Sequence, residues 1–285
     1  MKNKNFIRGN HAVAGVIEEL LLVALVAIIL STIQLYYIPQ IMKEKEADHM
    51  DEVSNQFSFL KSIIDLQGVT KEDVPIASPI TLGNRQLSYF VTIGAYGELS
   101  IIKDVDLYNI TVVNESGSLV IPLTSIKYTA YNSYYLDGDD LIYVLEGGAI
   151  ILKQSTGEAM RVEPAFTVTV EEGANVVVNI YYDIPIITGR PGKNSTSGYT
   201  NCYIRTNYSS SDANQLSFTG ISSINISTDY PNAWDSLLNN SLGDNVNIAK
   251  GSNYVEITKK EPGDQINLYY TRIYLYAQIS PGWIV

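Results

Sequence analysis

The segment from Val13 to Ile38, VAGVIEELLLVALVAIILSTIQLYYI, constrains this chain more than any other feature. Only Glu18, Glu19, Ser31, Thr32 and Gln34 interrupt its apolar character, and Leu20–Ile33 is a run of fourteen residues without a charge. A helix of this length and composition can span a bilayer. Lys2, Lys4 and Arg8 precede the segment, and Glu44, Glu46 and Asp48 come after it. That asymmetry predicts a cytoplasmic N-terminus, with the remainder outside.

A cleaved secretory signal would have a shorter apolar core ending at a small-residue site. Here the run passes through Tyr36, Tyr37, Ile38 and Pro39 into a new stripe at Met50, Val53, Phe57, Leu60 and Ile64. Intervals of three and four draw one apolar face on a helix. Pro39 lacks an N–H and crowds the preceding turn, so it kinks or locally opens the helix. Gly68 is the expected C-terminal stop. Residues 13–67 therefore read as one long bent helix; two helices meeting at Pro39 are the alternative.

Beyond Gly68 the period changes. Segments 87–94, 107–113, 118–123, 166–170, 175–182 and 266–279 are rich in Val, Ile, Thr and Tyr, which predicts strands. Turn signals fall at 83–85, 95–98, 137–140, 146–148 and 171–175. The polar stretch 188–201 reads as a long loop dividing this region into two sub-sheets, and 227–243 as a short surface helix. In that helix Thr228 and Asp229 are candidate caps, Pro231 lies near the first position, and Gly243 lies past the end. The expected class is α+β: a long N-terminal apolar helix, then a mainly antiparallel β-sandwich-like region over 68–285.

Composition removes several functions. With 19 basic against 30 acidic residues the formal charge is -11, a surface that repels nucleic acid. The single cysteine, Cys202, permits no intramolecular disulfide. The two histidines, His11 and His49, lie in the N-terminal part, so the C-terminal bulk holds no Ser-His-Asp triad and no His-rich metal site. No cofactor, no metal and no catalytic residue is expected.

His11-Ala12-Val13-Ala14-Gly15-Val16-Ile17 resembles the processing site and first mature residues of archaeal type IV pilins and archaellins. The blocks 56–65, 131–160, 196–210 and 227–234 resemble a family of archaeal membrane-anchored, pilin-like surface proteins defined by pattern. The resemblance implies a basic leader over residues 1–12, removed by a prepilin-type peptidase between Ala12 and Val13. Gly15 then stands at mature position three. His11 departs from the usual basic residue before the cut, and Gly9 and Asn10, after Arg8, form a second candidate site. It also implies that Glu18 pairs with the freed amine of a neighbouring subunit. The residues themselves allow another role: Glu18 and Glu19 sit at a helix N-terminus, where the macrodipole favours acids. The expected partners are the membrane, the peptidase and, through the N-terminal helix with Gly15 and Pro39, further copies or other pilin-like subunits.

Six Asn-x-Ser/Thr sequons, at Asn109, Asn114, Asn194, Asn207, Asn225 and Asn239, all fall in the expected exterior region and fit a glycosylated surface protein or Asn-rich turns. The chain has 21 tyrosines against 6 phenylalanines, and Tyr134, Tyr135, Tyr143, Tyr269, Tyr270, Tyr274 and Tyr276 could stack sugars, pack against subunits, or simply serve strands. Asp137-Gly138-Asp139-Asp140 could hold calcium but lacks the ligand alternation of an EF-hand, and reads as a solvated turn. Glu171–Glu172 and Glu98–Asp104 lack anything that would position them as a glycosidase dyad. The expected function is a structural subunit of an archaeal surface filament, or else a permanently anchored minor subunit or binding protein; an extracytoplasmic enzyme is the remote alternative.

Overall fold

The structure, a computed structural model, describes residues 8–83, 96–135 and 140–283, with side chains from Gly15 onward. The strand expected at 87–94 and most of the 83–85 and 137–140 turns lie outside these residues. The chain opens with α1 (Arg8–Thr32), one π-helical turn (Ile33–Tyr37) and α2 (Ile38–Thr70). The strands begin with β1 (Ile76–Thr81), β2 (Tyr96–Ile102), β3 (Asn109–Asn114), β4 (Gly117–Pro122), β5 (Ser125–Tyr131), β6 (Leu141–Glu146), β7 (Ala149–Gln154), β8 (Gly157–Val162) and β9 (Phe166–Glu171). Then come β10 (Val177–Gly189), β11 (Ser195–Gly198), β12 (Asn201–Ser211), β13 (Leu216–Phe218) and β14 (Ile221–Ser227). The chain finishes with α3 (Pro231–Leu242), β15 (Val246–Lys250), β16 (Tyr254–Lys259) and β17 (Gln265–Ile279). The class is α+β, an apolar N-terminal helix followed by antiparallel sheets.

Among the described residues three sheets form instead of two. A central sheet has the order β1-β12-β17-β10-β9, with β13 also on β17; a second runs β11-β2-β5-β6-β7-β8, and a third β15-β16-β14-β3-β4. All described pairings are antiparallel except β10 with β17, which run parallel from Val177↔Gln265 to Gly189↔Ala277. Successive side chains on a strand point to opposite faces. On β10, Val178, Ile180, Tyr182, Ile184 and Ile186 enter one core with the third sheet and α3. Ile187, and Leu275, Ala277 and Ile279 of β17, enter the other core with α2 and the second sheet. The odd and even residues of these two strands thus serve cores on opposite faces of the central sheet. Double coverage accounts for their nearly unbroken apolar sequences.

Helix α2 supplies Met50, Val53, Phe57, Leu60 and Ile64 to the second core. The stripe read from the sequence is therefore the packed face. Phe57 is fully buried, with ring centroids 6.4 Å from Tyr128 and 5.9 Å from Tyr143. Phe57→Ala is expected to cost about 3–5 kcal/mol, the usual range for emptying a buried aromatic site. Thermal unfolding of the full chain in detergent measures it, and a loss below about 1 kcal/mol would mean the helix is not held by this face.

Several expectations need correction. Gly68 does not end α2; the helix continues to Thr70, and Lys71 turns it off with a left-handed φ of 56° while donating its N–H to Gln67 O at 3.0 Å. Gly68 serves packing, since a Cβ there would stand 2.9 Å from Ile273 Cδ1. Of the turn expected at 95–98, residues 96–98 are the start of β2 and residue 95 lies outside the described residues. Gly97 lets the end of β1 approach, because a Cβ would lie 2.0 Å from Leu82 O. The loop expected over 188–201 contains the end of β10 and all of β11, which pairs with β2 from Ser195↔Ser100 to Gly198↔Gly97. Only the turn around residues 190–194 and the bend at 199–200 are irregular, because β11 obtains its hydrogen bonds from a strand far away in sequence.

Helix α3 starts at Pro231 and stops at Gly243 as read, yet it is no mere surface helix: Ala233, Trp234, Leu237, Leu238 and Leu242 are buried. Neither Thr228 nor Asp229 caps it. Asn232 N–H donates instead to Glu158 Oε2 of β8 at 3.1 Å. Asp229 accepts from the Tyr108 hydroxyl at 2.7 Å.

Candidate membrane and assembly element

Among the described residues, every position of the helix from Gly15 to Tyr37 is exposed. Its most apolar 18-residue window is 0% buried, and by length and composition it can cross a membrane. Leu20 to Tyr37 measures about 27 Å at the helical rise, close to the ~30 Å hydrocarbon thickness of a bilayer. Exposed Tyr36 and Tyr37 end the rod, and packing begins one turn later at Met42. Aromatic residues with a polar tip suit that level of a membrane boundary.

Pro39 explains the π turn between rod and packed helix. Having no N–H and a ring that would strike the carbonyl four residues back, it is accommodated by one widened turn. Ile38 N–H accordingly bonds Ile33 O, five residues earlier. The two helices are therefore continuous through an opened turn.

Below that turn, buried side chains fasten α2 to the sheets. Glu46 accepts three successive backbone N–H bonds, from Ser133 to Oε1 at 3.0 Å and from Tyr134 and Tyr135 to Oε2 at 2.8 and 2.6 Å. The fully buried Tyr128 hydroxyl donates to Leu82 O at 2.8 Å, so the His49 Nε2 at 3.0 Å carries a proton and donates to Tyr128. Burial holds the His49 pKa below its ordinary 6.5, opposed by the charges of Glu52 and Glu46. Gln67 donates to Val74 O and Thr206 O, both at 3.0 Å, while the Lys61–Asp65 pair at 2.5 Å lies within α2 itself. A polar cavity of about 400 Å³ opens beside this joint between Lys45, Asp48, His49 and Glu52 of α2 and Thr81 and Asn201. At its wall Thr81 Oγ1 donates to Glu52 Oε1 at 2.9 Å, and His49 is almost entirely buried.

Gly9, Asn10, Ala12 and Val13, the residues of the two candidate cleavage sites, lie on the first turns of α1, where the backbone is helical. Glu18 and Glu19 are exposed, and among the described residues no ion pair involves either. Gly15 has nothing within 4 Å of its would-be Cβ. Of the sequons, Asn194 and Asn239 are exposed and the other four half-buried on strands. Asn109 Nδ2 donates to Val105 O at 2.8 Å, and Asn114 Nδ2 to Thr219 O at 3.0 Å; a glycan on either would take one of the two Nδ2 hydrogens and leave one to donate. Asn225 and Ser227 share the outer face of β14, and the Asn207 Oδ1 is buried without a hydrogen-bond partner.

Tyr143 and Tyr270 are core residues, and Tyr269 stacks on Tyr181 across the parallel pair at 5.0 Å. Glu98 accepts from Tyr131 OH, while Asp104 binds the N–H groups of Asp106 and Leu107, so each serves its own neighbourhood. Asp137, Gly138 and Asp139 lie outside the described residues. Among those that are described, no cluster of three His, Cys, Asp or Glu residues could hold a metal ion.

Sequence reasoning missed Glu146. It ends β6 inside the first core, and its Oε1 accepts from Thr228 Oγ1 at 2.7 Å and Trp234 Nε1 at 2.9 Å. Desolvation pushes its pKa up to about 7, against the lowering effect of those two bonds, with Asp229 and Glu158 adding to the rise. A glutamate before Gly147-Gly148 reads locally as a turn charge; only the arrival of α3 buries it.

Comparison with models of protein families, with curated proteins and with solved structures finds no match to this chain.

Proposed function

We propose that this chain is a pilin-like structural subunit of a cell-surface filament. Its leader is removed, its apolar rod joins other such helices in the filament core, and its β-region is displayed outside. One observation carries the reading. The rod is wholly unburied, yet it is continuous with a helix fastened to the sheets at Glu46, His49 and Gln67. Such a rod requires apolar surroundings, which lipid provides first and packed helices of other subunits afterwards. The leader-like residues up to Val13 and the six sequons support the same route.

The paired tyrosines at the end of the rod favour a second reading, a permanent membrane anchor bearing an external β-region that never polymerises. Sequencing the N-terminus of the mature protein and imaging sheared surface material separate the two. A start at Val13 or Asn10 with the chain present in sheared filaments is the expected result. An intact Met1 with the chain retained in membranes would leave the anchor, and a start beyond Tyr37 would remove both readings.

Burying the processed amine in an apolar core calls for a counter-charge. Glu18→Gln is therefore expected to abolish recovery in the sheared fraction while the chain still partitions into membranes. An unchanged filament yield would show that Glu18 does not pair.

A further inference from the structure

The geometry points to a binding site for a neutral carbohydrate on the open half of the central sheet, built on Asp183, Tyr181, Tyr269 and Thr167 beside a cavity at the end of α2. This goes beyond the structural reading above and does not depend on whether the rod polymerises.

The site follows from strand parity and from where α2 stops. Odd-numbered residues of β10 and β17 share one face of the central sheet, which the second core covers at Ile187, Leu275, Ala277 and Ile279. That cover ends at Ile273, opposite Pro185, where Gly68 lies against the Ile273 side chain two residues before α2 finishes at Thr70. The next rows on the same face are Thr271 opposite Asp183, Tyr269 opposite Tyr181, and Asn267 opposite Asn179. Strand β9 places Thr167 beside Tyr181 and Thr169 beside Asn179, and β13 places Ser217 beside Tyr269.

A cavity of about 220 Å³ opens where the cover ends, between Ile64, Asp65 and Val69 of α2 and Asp183, Pro185 and Ile273 of the sheet. It is smaller than the ~300–1,000 Å³ pockets of drug-sized ligands and suits a single sugar ring. One row further along, Tyr181 and Tyr269 stand face to face, with ring centres 5.0 Å apart and planes 16° from parallel. The outer face of each ring is bordered by a short exposed side chain, Thr167 or Ser217. Beneath them the amides are locked, Asn267 Nδ2 donating to Asn179 Oδ1 at 2.9 Å and Asn179 Nδ2 to Glu171 Oε1 at 3.3 Å.

The groups that would meet a ligand are unengaged. Among the described residues, the Asp183 carboxylate and the Thr167, Tyr181, Tyr269 and Thr271 hydroxyls bond to no other group. Asp183 and Thr167 are exposed, and the three hydroxyls on half-buried residues are not among the oxygens sealed from solvent. Asp65 is exposed too, although its Oδ2 already accepts from Lys61.

This set of groups selects the ligand. The apolar C–H face of a sugar ring packs on an aromatic ring, and its adjacent hydroxyls donate to a carboxylate in charge-assisted bonds. Neither Lys nor Arg lines the cavity, and the chain carries a net charge of -11, so an anionic sugar is repelled where a neutral one is not.

The test uses the full chain in lauryldimethylamine oxide, a detergent without a sugar headgroup. The probes are surface-immobilised dextran, mannan and galactan, with polygalacturonate, poly-L-lysine and the protein itself as the other arms. Binding to at least one neutral polymer, little changed by salt and absent on polygalacturonate, is expected. Asp183→Ala should bind that polymer about tenfold or more weakly, given the worth of hydrogen bonds to charged groups, with unchanged thermal unfolding. Thr167→Arg, at an exposed position, lays a long cation over Tyr181 and toward Asp183, and should weaken binding as well. No binding to any of the neutral polymers, equal binding to polygalacturonate, or binding indifferent to both substitutions would overturn the proposal. Binding to poly-L-lysine alone would reassign the face to a basic peptide. Self-association lost in Asp183→Ala, without polysaccharide binding, would reassign it to a second copy.

Discussion

Replacing Glu146 with glutamine is expected to flatten the pH dependence of stability and to raise the unfolding temperature at pH 8. The carboxyl ordinarily titrates at 4.5 and in the folded chain at about 7, because burial beside Trp234 disfavours its charge. The folded state therefore holds a proton that the unfolded chain has released. The stabilisation is full below pH 4.5 and is lost progressively as pH rises to about 7, after which the curve levels. At about 1.36 kcal/mol for each pH unit the loss amounts to roughly 3 kcal/mol. Glutamine keeps an Oε1 to accept from Thr228 and Trp234 and carries no charge to desolvate. Wild type and variant should coincide near pH 4 and diverge above pH 7, by roughly 6–12 °C for a domain of this size. Melting curves at half-unit steps between pH 4 and 8 decide the matter. Parallel curves would mean that some other group titrates.

Removing the Glu46 carboxylate should loosen the rod from the sheets. Its two oxygens satisfy three consecutive backbone donors at residues 133–135, from a helix that is otherwise held there by Met42, His49 and Met50. Hydrogen bonds to a charged acceptor are worth about 1.5–3 kcal/mol each, but these donors are only part-buried and water can replace some of the loss. A net cost of roughly 3 kcal/mol is expected for Glu46→Ala. Glu46→Gln should recover only part of it, since its amide nitrogen would face a donor. Hydrogen exchange gives the sharper reading: the amides of Ser133, Tyr134 and Tyr135 should lose protection while the β5–β6 ladder keeps its own. Unaltered exchange at those three amides would show the tether to be idle.

These two carboxylates illustrate which parts of the molecule were legible. Glu44, Glu46 and Asp48 read alike in sequence as acids after an apolar run, and only the position of residues 133–135 distinguishes Glu46. The same holds at α3, whose start at Pro231 and stop at Gly243 were readable because they depend on a fixed φ and a missing Cβ. Its cap from Glu158 was not readable, because the donor and acceptor are more than seventy residues apart. Strands β5, β6 and β7 escaped notice for a related reason. Covered on both faces or nearly so, they lack the alternation that marks a half-exposed strand.

The amino-acid sequence by itself determined the apolar rod, the stripe from Met50 to Ile64, the opening at Pro39 and the β character of the region beyond α2. Each of these depends on side-chain periodicity or backbone chemistry within a few residues. Tertiary structure alone decided that β10 runs parallel to β17, that their two faces serve different cores, and that Glu46 and Glu146 end up buried in opposite roles. Those outcomes depend on which distant segments meet, and such meetings are selected by the burial they jointly achieve, which no local pattern records.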